Sequence, residues 1–237
     1  MSGGDLLVRL RGISKGYGGL RPLRIAELDL RAGQSLALVG LDAGMAQTLV
    51  DLITGAILPD SGEAFAFGRS TADIPDRDAW LQTLDGFGLL TDRAVLVEQF
   101  SVEHNLALPL SLDLADLPDD VRARVSALAA EVELGEIDLG RPASGLSAAE
   151  RARVRLGRAI ALDPRVVLAE HPTATLSAGE SLAFADLVAR VTAARGLASV
   201  LVTSDVRVAR AAAADVRAHE PATGALTRLS AWRRWFS

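Results

Sequence analysis

LLVRLRGI (6–13) and LRIAELDL (23–30) alternate apolar and polar positions, the period-two pattern of strands with one buried face. SLALVG (35–40) is instead a continuous apolar run closed by glycine, which predicts a strand of a parallel sheet buried on both faces. Directly after it, Met45, Leu49, Leu52, Ile53 and Ala56 recur at helical intervals and predict a helix over 45–57. Pro59-Asp60-Ser61-Gly62 is a turn signal, and EAFAFG (63–68) reads as the next strand. From 70 to 145 the chain is more polar, carries prolines at 75, 109, 118 and 142, and is mostly helical in pattern. VVLAEHP (166–172) and ASVLVTSD (198–205) are again apolar runs ending in polar residues. Between them SLAFADLVARVTAARG (181–196) is a helical pattern closed by Gly196. Strands alternating with helices predict an α/β domain with a parallel sheet covered on both faces, into which the polar middle is a helical insertion.

Composition narrows the function more than the fold. At 237 residues the chain holds one large α/β domain or two small ones. A net charge of -5 argues against a general nucleic-acid binder, which needs a basic face. With no cysteine there is neither a disulfide framework nor a thiolate metal site. His104, His171 and His219 lie far apart in sequence and give no metal-ligand spacing. The N-terminal residues have no signal-peptide pattern, and no apolar run approaches the roughly 18–20 residues needed to cross a bilayer. The expectation is a soluble, cytoplasmic domain.

GLDAGMAQT (40–48) follows a buried strand and opens a helix, the context of a phosphate-binding loop G-x-x-x-x-G-K-[ST]. Alone it would not identify such a loop, because only the first glycine matches. Downstream segments in the right order supply the missing specificity. With LITGAILPDSGEAFAFG, FGLLTD, SVEHNLALPL (101–110), LSAAE (146–150), RARVRLGRAIALDPRVVLAEHPT, ATLS (174–177) and VLVTSD (200–205), the chain resembles the ATPase subunit of an ABC transporter over roughly 6–228. The resemblance implies a P-loop NTPase core with a parallel sheet, an N-terminal antiparallel β part and a helical subdomain. It also implies one ABC-type domain, with core at about 1–90 and 160–230, helical subdomain at about 91–159, and an aromatic and basic tail at 231–237.

The same likeness shows how far the ATP-handling positions depart from the family. A working loop wraps phosphate with glycine N–H groups, neutralises it with lysine and holds Mg²⁺ with a hydroxyl. Here those positions are Met45, Ala46 and Gln47, and Ala43 replaces a further glycine, while Gly40, Gly44 and Thr48 survive. Losing one partner of a desolvated charge pair costs on the order of 2–5 kcal/mol. At about 1.4 kcal/mol per factor of ten, that alone weakens binding roughly 30-fold to several thousand-fold. Asp42 adds a like charge. Glu170 stands in the place of the aspartate that binds Mg²⁺ through water, and His171 in that of the glutamate that polarises the attacking water. Imidazole suits a base near neutral pH, but no lysine remains to place a phosphate beside it, so His171 reads as a histidine ending a buried strand. Asp92 replaces the Gln-loop glutamine, Ser204 the switch histidine and Ser177 the D-loop aspartate.

At the signature, Ala148 and Ala149 replace glycines but Ser147 remains at a helix start, where it would touch a partner's ATP. The other reading of LSAAE is a capping box, Ser147 with Glu150. Tyr17 falls where the family stacks an aromatic ring on adenine, and an ordinary packing role is the alternative. Trp232 and Trp235 of the tail fit an interface or membrane anchor, or a tail folded onto its own domain. The expected protein is therefore a catalytically inactive ABC-type subunit with no cofactor at its own site and ATP/Mg only at a composite site. Its expected partners are an intact ABC ATPase subunit, as homo- or heterodimer, and a membrane permease at the cytoplasmic face. A weak ATPase and a stand-alone interaction module are the alternatives.

Overall fold

The computed structural model describes residues 5–91, 93–135 and 138–229. Strands β1 (Leu6–Lys15), β2 (Leu23–Arg31), β4 (Ser61–Ala66) and β5 (Arg69–Ser70) form an antiparallel sheet in the order β2-β1-β4-β5. A second sheet has the order β10-β9-β3-β8-β7-β6, built from β3 (Ser35–Val39), β6 (Phe87–Thr91), β7 (Val166–Glu170), β8 (Ala198–Val202), β9 (Asp215–His219) and β10 (Leu226–Arg228). It is parallel from β9 to β6, and β10 returns antiparallel on the edge. The helices are α1 (Ala43–Thr54), α2 (Arg77–Leu84), α3 (Val102–Ala107), α4 (Asp119–Glu131), α5 (Ala148–Ala159), α6 (Ala178–Ala194) and α7 (Val206–Ala212).

Period two explains how the second sheet is buried on both sides. Leu168 and Val200 point into a core shared with β1, β2 and α1, among Leu10, Ile25, Leu28, Leu49 and Ile53. Their neighbours Val167 and Leu201 point the other way, into a core shared with α3–α6, among Leu106, Leu128, Leu156 and Val188. Successive side chains of a strand face opposite sides, so a run apolar at every position fits only this sandwiched setting.

Three details differ from the sequence-based expectation. The helix after β3 spans Ala43–Thr54, earlier at both ends than predicted, because Asp42 caps its start and Gly55, with φ of 72°, closes it in a left-handed turn. The strand after the Pro59 turn is Ser61–Ala66, since Phe67 and Gly68 leave the extended region at φ of 53° and 84°. The stretch 70–145 is not uniformly helical: Phe87–Thr91 forms β6, the edge of the second sheet, paired in parallel with Val166–Glu170. Gly88 lets β6 pack against the end of α5, because a Cβ there would lie 2.1 Å from the Ala159 carbonyl oxygen.

Candidate functional site

The carboxyl ends of β3, β7 and β8 meet at one rim of the parallel sheet, the place where open α/β sheets bind ligands. Gly40 makes the turn out of β3 at φ of 88°, and a Cβ there would come within 3.2 Å of the His219 carbonyl oxygen. Asp42 then caps α1: its Oδ1 accepts the Met45 N–H at 2.8 Å. An aspartate at this position satisfies an otherwise orphaned donor and complements the positive end of the helix. A carboxylate of the chain itself thus sits at the N-terminus of α1.

The positions after the cap divide between core and solvent. Ala46 is fully buried and Met45 nearly so, both packed with Leu38 and Leu49 in the core beneath the loop. Gln47 is exposed. Thr48 is buried and donates its hydroxyl to the Gly44 carbonyl at 2.7 Å, one turn back in its own helix. Tyr17 lies against Gly44, where a Cβ would meet its ring at 2.9 Å, and its hydroxyl points to Asp42 Oδ2 at 3.4 Å. Burial, reinforced by the Asp42 charge, pushes the Tyr17 phenol up.

Glu170, at the end of β7, is ion-paired. Arg93 Nη2 lies 2.9 Å from its Oε2, and Arg93 Nη1 lies 3.5 Å from Asp51 Oδ1 on α1. The Arg93 backbone N–H also reaches Thr91 Oγ1 at 3.2 Å. His171 follows at φ of 43°, donating its backbone N–H to the Val202 carbonyl at 2.9 Å. Its Nε2 is buried with no hydrogen-bond partner. Ser204 is exposed just before α7. Its neighbour Asp205 caps that helix and is lowered to about 2 by its hydrogen bonds with the Arg207 side chain and backbone. Asp92 and the tail residues Trp232 and Trp235 lie outside the described residues.

The signature segment forms the capping box. Ser147 Oγ accepts the Glu150 N–H at 3.2 Å, and the Ser147 N–H donates to Glu150 Oε2 at 2.7 Å. Arg141 adds an ion pair to the same carboxylate at 3.1 Å. The backbone hydrogen bond from Ser147, then its side chain and Arg141, hold Glu150 below the usual glutamate range. Ser177 and Glu180 repeat the arrangement at the start of α6, with the Ser177 N–H donating to Glu180 Oε2 at 2.9 Å.

On the side of β6 away from β7 runs a groove of about 550 Å³, lined by Phe87, Leu89, Leu108, Pro109, Leu162 and Pro164 among others. Leu162 is 54% exposed, so apolar surface is open to a partner there.

The family profile described as ABC transporter matches residues 23–174, more than half of the chain, including the rim residues from Gly40 to Glu170. The chain belongs to the ABC transporter family. Among its relatives, the lipoprotein-releasing system ATP-binding protein LolD of Alcanivorax borkumensis is 29% identical over 220 residues, covering 93% of this chain and 94% of LolD. The macrolide export ATP-binding/permease protein MacB 1/2 of Paracoccus denitrificans is 31% identical over 98% of this chain. The methionine import ATP-binding protein MetN of Clostridium acetobutylicum is 25% identical over 86% of it. The chain spans only 34% of that MacB and 63% of that MetN. A dimeric ATP-binding cassette solved in a post-hydrolysis state with ADP and Pi superposes with a TM-score of 0.76 at 23% identity, covering 95% of this chain and all of that one. That likeness shows the ABC fold.

Within this ABC fold the structure brings Tyr17, Gly40, Gly44, Ala46, Thr48 and Glu170 to one rim, as their order in the sequence implies. Arg93 carries no mark in the sequence. Its partners lie 42 and 77 positions away, and no local pattern reveals such a pair.

Proposed function

We propose that this chain is a non-hydrolysing ABC-type subunit, a structural or regulatory partner in a transport complex that does not use ATP at its own site. The observation that carries this reading is the Asp42 carboxylate seated on the α1 N-terminus above a fully buried Ala46. A nucleotide phosphate entering there would face that carboxylate instead of a lysine. At the metal end, the Glu170 carboxylate is already ion-paired with Arg93. The residues present do not fit a magnesium nucleotide and support no hydrolytic step through one.

The composite half-site is the weaker reading. A partner's phosphate at the α5 N-terminus would approach the Glu150 carboxylate that caps it. The groove beside β6 supports docking beneath a membrane permease, since its floor is apolar and its wall is open. No helix among the described residues is long and apolar enough to cross a membrane, which fits a peripheral subunit carried by membrane partners. The likeness to LolD over nearly its whole length supports a permease of the lipoprotein-releasing kind as that partner, on the cytoplasmic face.

The test is Mg-ATP turnover by the purified chain, with Ala46→Lys beside it. Both should stay at background. The lysine would enter a fully buried position, and Asp42, Arg93 and His171 would remain in place. Metal-dependent turnover by the unmodified chain would sink the proposal.

A further inference from the structure

Segment 93–100 joins β6 to α3 and is held at its two ends by different means. From the Val95 carbonyl onward it is bonded to the helical side. Arg158 on α5 donates to the Val95 carbonyl at 2.9 Å, and the Val97 N–H donates to Asn105 Oδ1 at 2.9 Å. The carbonyls of Glu98 and Phe100 accept the Ser144 and Ala143 N–H groups at 3.1 Å and 2.9 Å. Asn105 is fully buried and returns its amide to the Val97 carbonyl at 3.0 Å, which fixes that end further.

The β6 end has a different anchor. Arg93 sends its guanidinium across to Glu170 on β7 and Asp51 on α1, both carboxylates largely buried. A guanidinium is planar, permanently charged and forked, so it can hold two carboxylates from separate elements at once. Ala94, the next residue, lines the wall of the groove beside β6.

We propose that Arg93 is a built-in latch. Its guanidinium takes the place of a cation between Asp51 and Glu170, and pins residues 93–95 to the α/β core without any nucleotide. Ala94 is held with them, so the groove wall is preset by an ion triad of the chain itself. This assignment does not depend on the proposed loss of nucleotide binding.

Amide hydrogen exchange on the full chain tests it, comparing wild type, Arg93→Lys and Arg93→Ala. The readout is the Ala94 and Val95 amides, whose bonds to the Thr91 and Arg93 carbonyls depend on the latch. The Val97 amide, bonded to Asn105 on the helical side, is the internal control. Arg93→Ala should speed exchange at Ala94 and Val95 about 2- to 5-fold and leave Val97 unchanged, the size expected for a partly exposed ion-pair network. Arg93→Lys should fall between, because a point charge spans two carboxylates poorly. Glu170→Gln should reproduce part of the loss, and added Mg-ATP should leave the wild-type rates as they are. Equal rates in wild type and Arg93→Ala would overturn the latch. So would a rise shared by Val97, or a response of the wild-type Ala94 amide to Mg-ATP. Calorimetry of ATP binding on the same samples separates this result from the proposed function: nucleotide binding with the latch pattern intact would remove that function and leave the latch standing.

Discussion

Replacing Asp42 tests whether the chain's own carboxylate fills the helix end. Asp42→Ala removes the acceptor for the Met45 N–H at 2.8 Å and the negative charge at the start of α1. Loss of an N-cap costs about 1 kcal/mol. Loss of an anion from an exposed helix N-terminus costs roughly 0.3–1 kcal/mol at low ionic strength. The Tyr17 hydroxyl at 3.4 Å is too long to count as a strong bond and contributes little. Asp42→Ala should therefore lose about 1.3–2 kcal/mol of stability. Asp42→Asn, which keeps an acceptor and loses only the charge, should lose about 0.3–1 kcal/mol. For a chain of this size about 1 kcal/mol corresponds to roughly 2–4 °C in Tm. The assay is thermal unfolding by circular dichroism at low salt. A second arm compares sulfate with chloride at matched ionic strength. Once the carboxylate is gone, the bare helix end should accept sulfate and the gap between Asp42→Ala and wild type should narrow. Equal Tm values for wild type and Asp42→Ala would rule out the cap as a source of stability, and equal losses in the alanine and asparagine variants would rule out the separation of hydrogen bond from charge.

Three further outcomes follow from other contacts. Glu150 has its folded pKa depressed, so its stabilisation is present above the ordinary glutamate range and is lost as pH falls through the lower folded value. Glu150→Gln should thus be less stable than wild type at neutral pH, with the difference shrinking on acidification; a constant difference in urea unfolding across that range would contradict it. Gly88→Ala should cost about 3 kcal/mol or more, because its Cβ would sit 2.1 Å from a backbone oxygen that cannot swing aside. A Gly88→Ala chain unfolding at wild-type urea concentration would show that β6 packs less tightly than described. Arg195 donates to both Glu131 oxygens at 2.6 Å, to the Ile160 carbonyl at 2.8 Å and to Asp163 at 2.8 Å, tying α4, α6 and the turn before β7. Arg195→Ala should cost about 2–3 kcal/mol by urea unfolding, with lysine recovering less than half.

The sheet core was legible because its strands are short apolar runs set between helical periods. β3, β7 and β8 lie where SLALVG, VVLAEHP and ASVLVTSD predict them, and α6 ends beside Gly196 as expected. The segment forming β6 was hidden. Phe87–Thr91 is five residues long within a polar stretch, and a run of that length carries no period of its own. β9 (DVRAH) is likewise half polar, and it pairs with β3, which is remote in sequence. The residues of the rim were legible from motif order alone, as was the capping box at Ser147 and Glu150, whose members are three positions apart. The role of Asp42 was only half legible. In sequence it is a charge that repels phosphate, whereas in the fold it is also the cap of α1. Arg93 was not legible at all, because its partners come from two other elements.

If the rim is filled by the chain's own charges, Mg-ATP has no place there, and calorimetry with the nucleotide titrated to millimolar concentration asks this of the molecule without a mutation. The unmodified chain should give no saturable heat. Saturable binding with a Kd well below a millimolar, dependent on magnesium, would be incompatible with a self-filled rim and would return the site to the nucleotide.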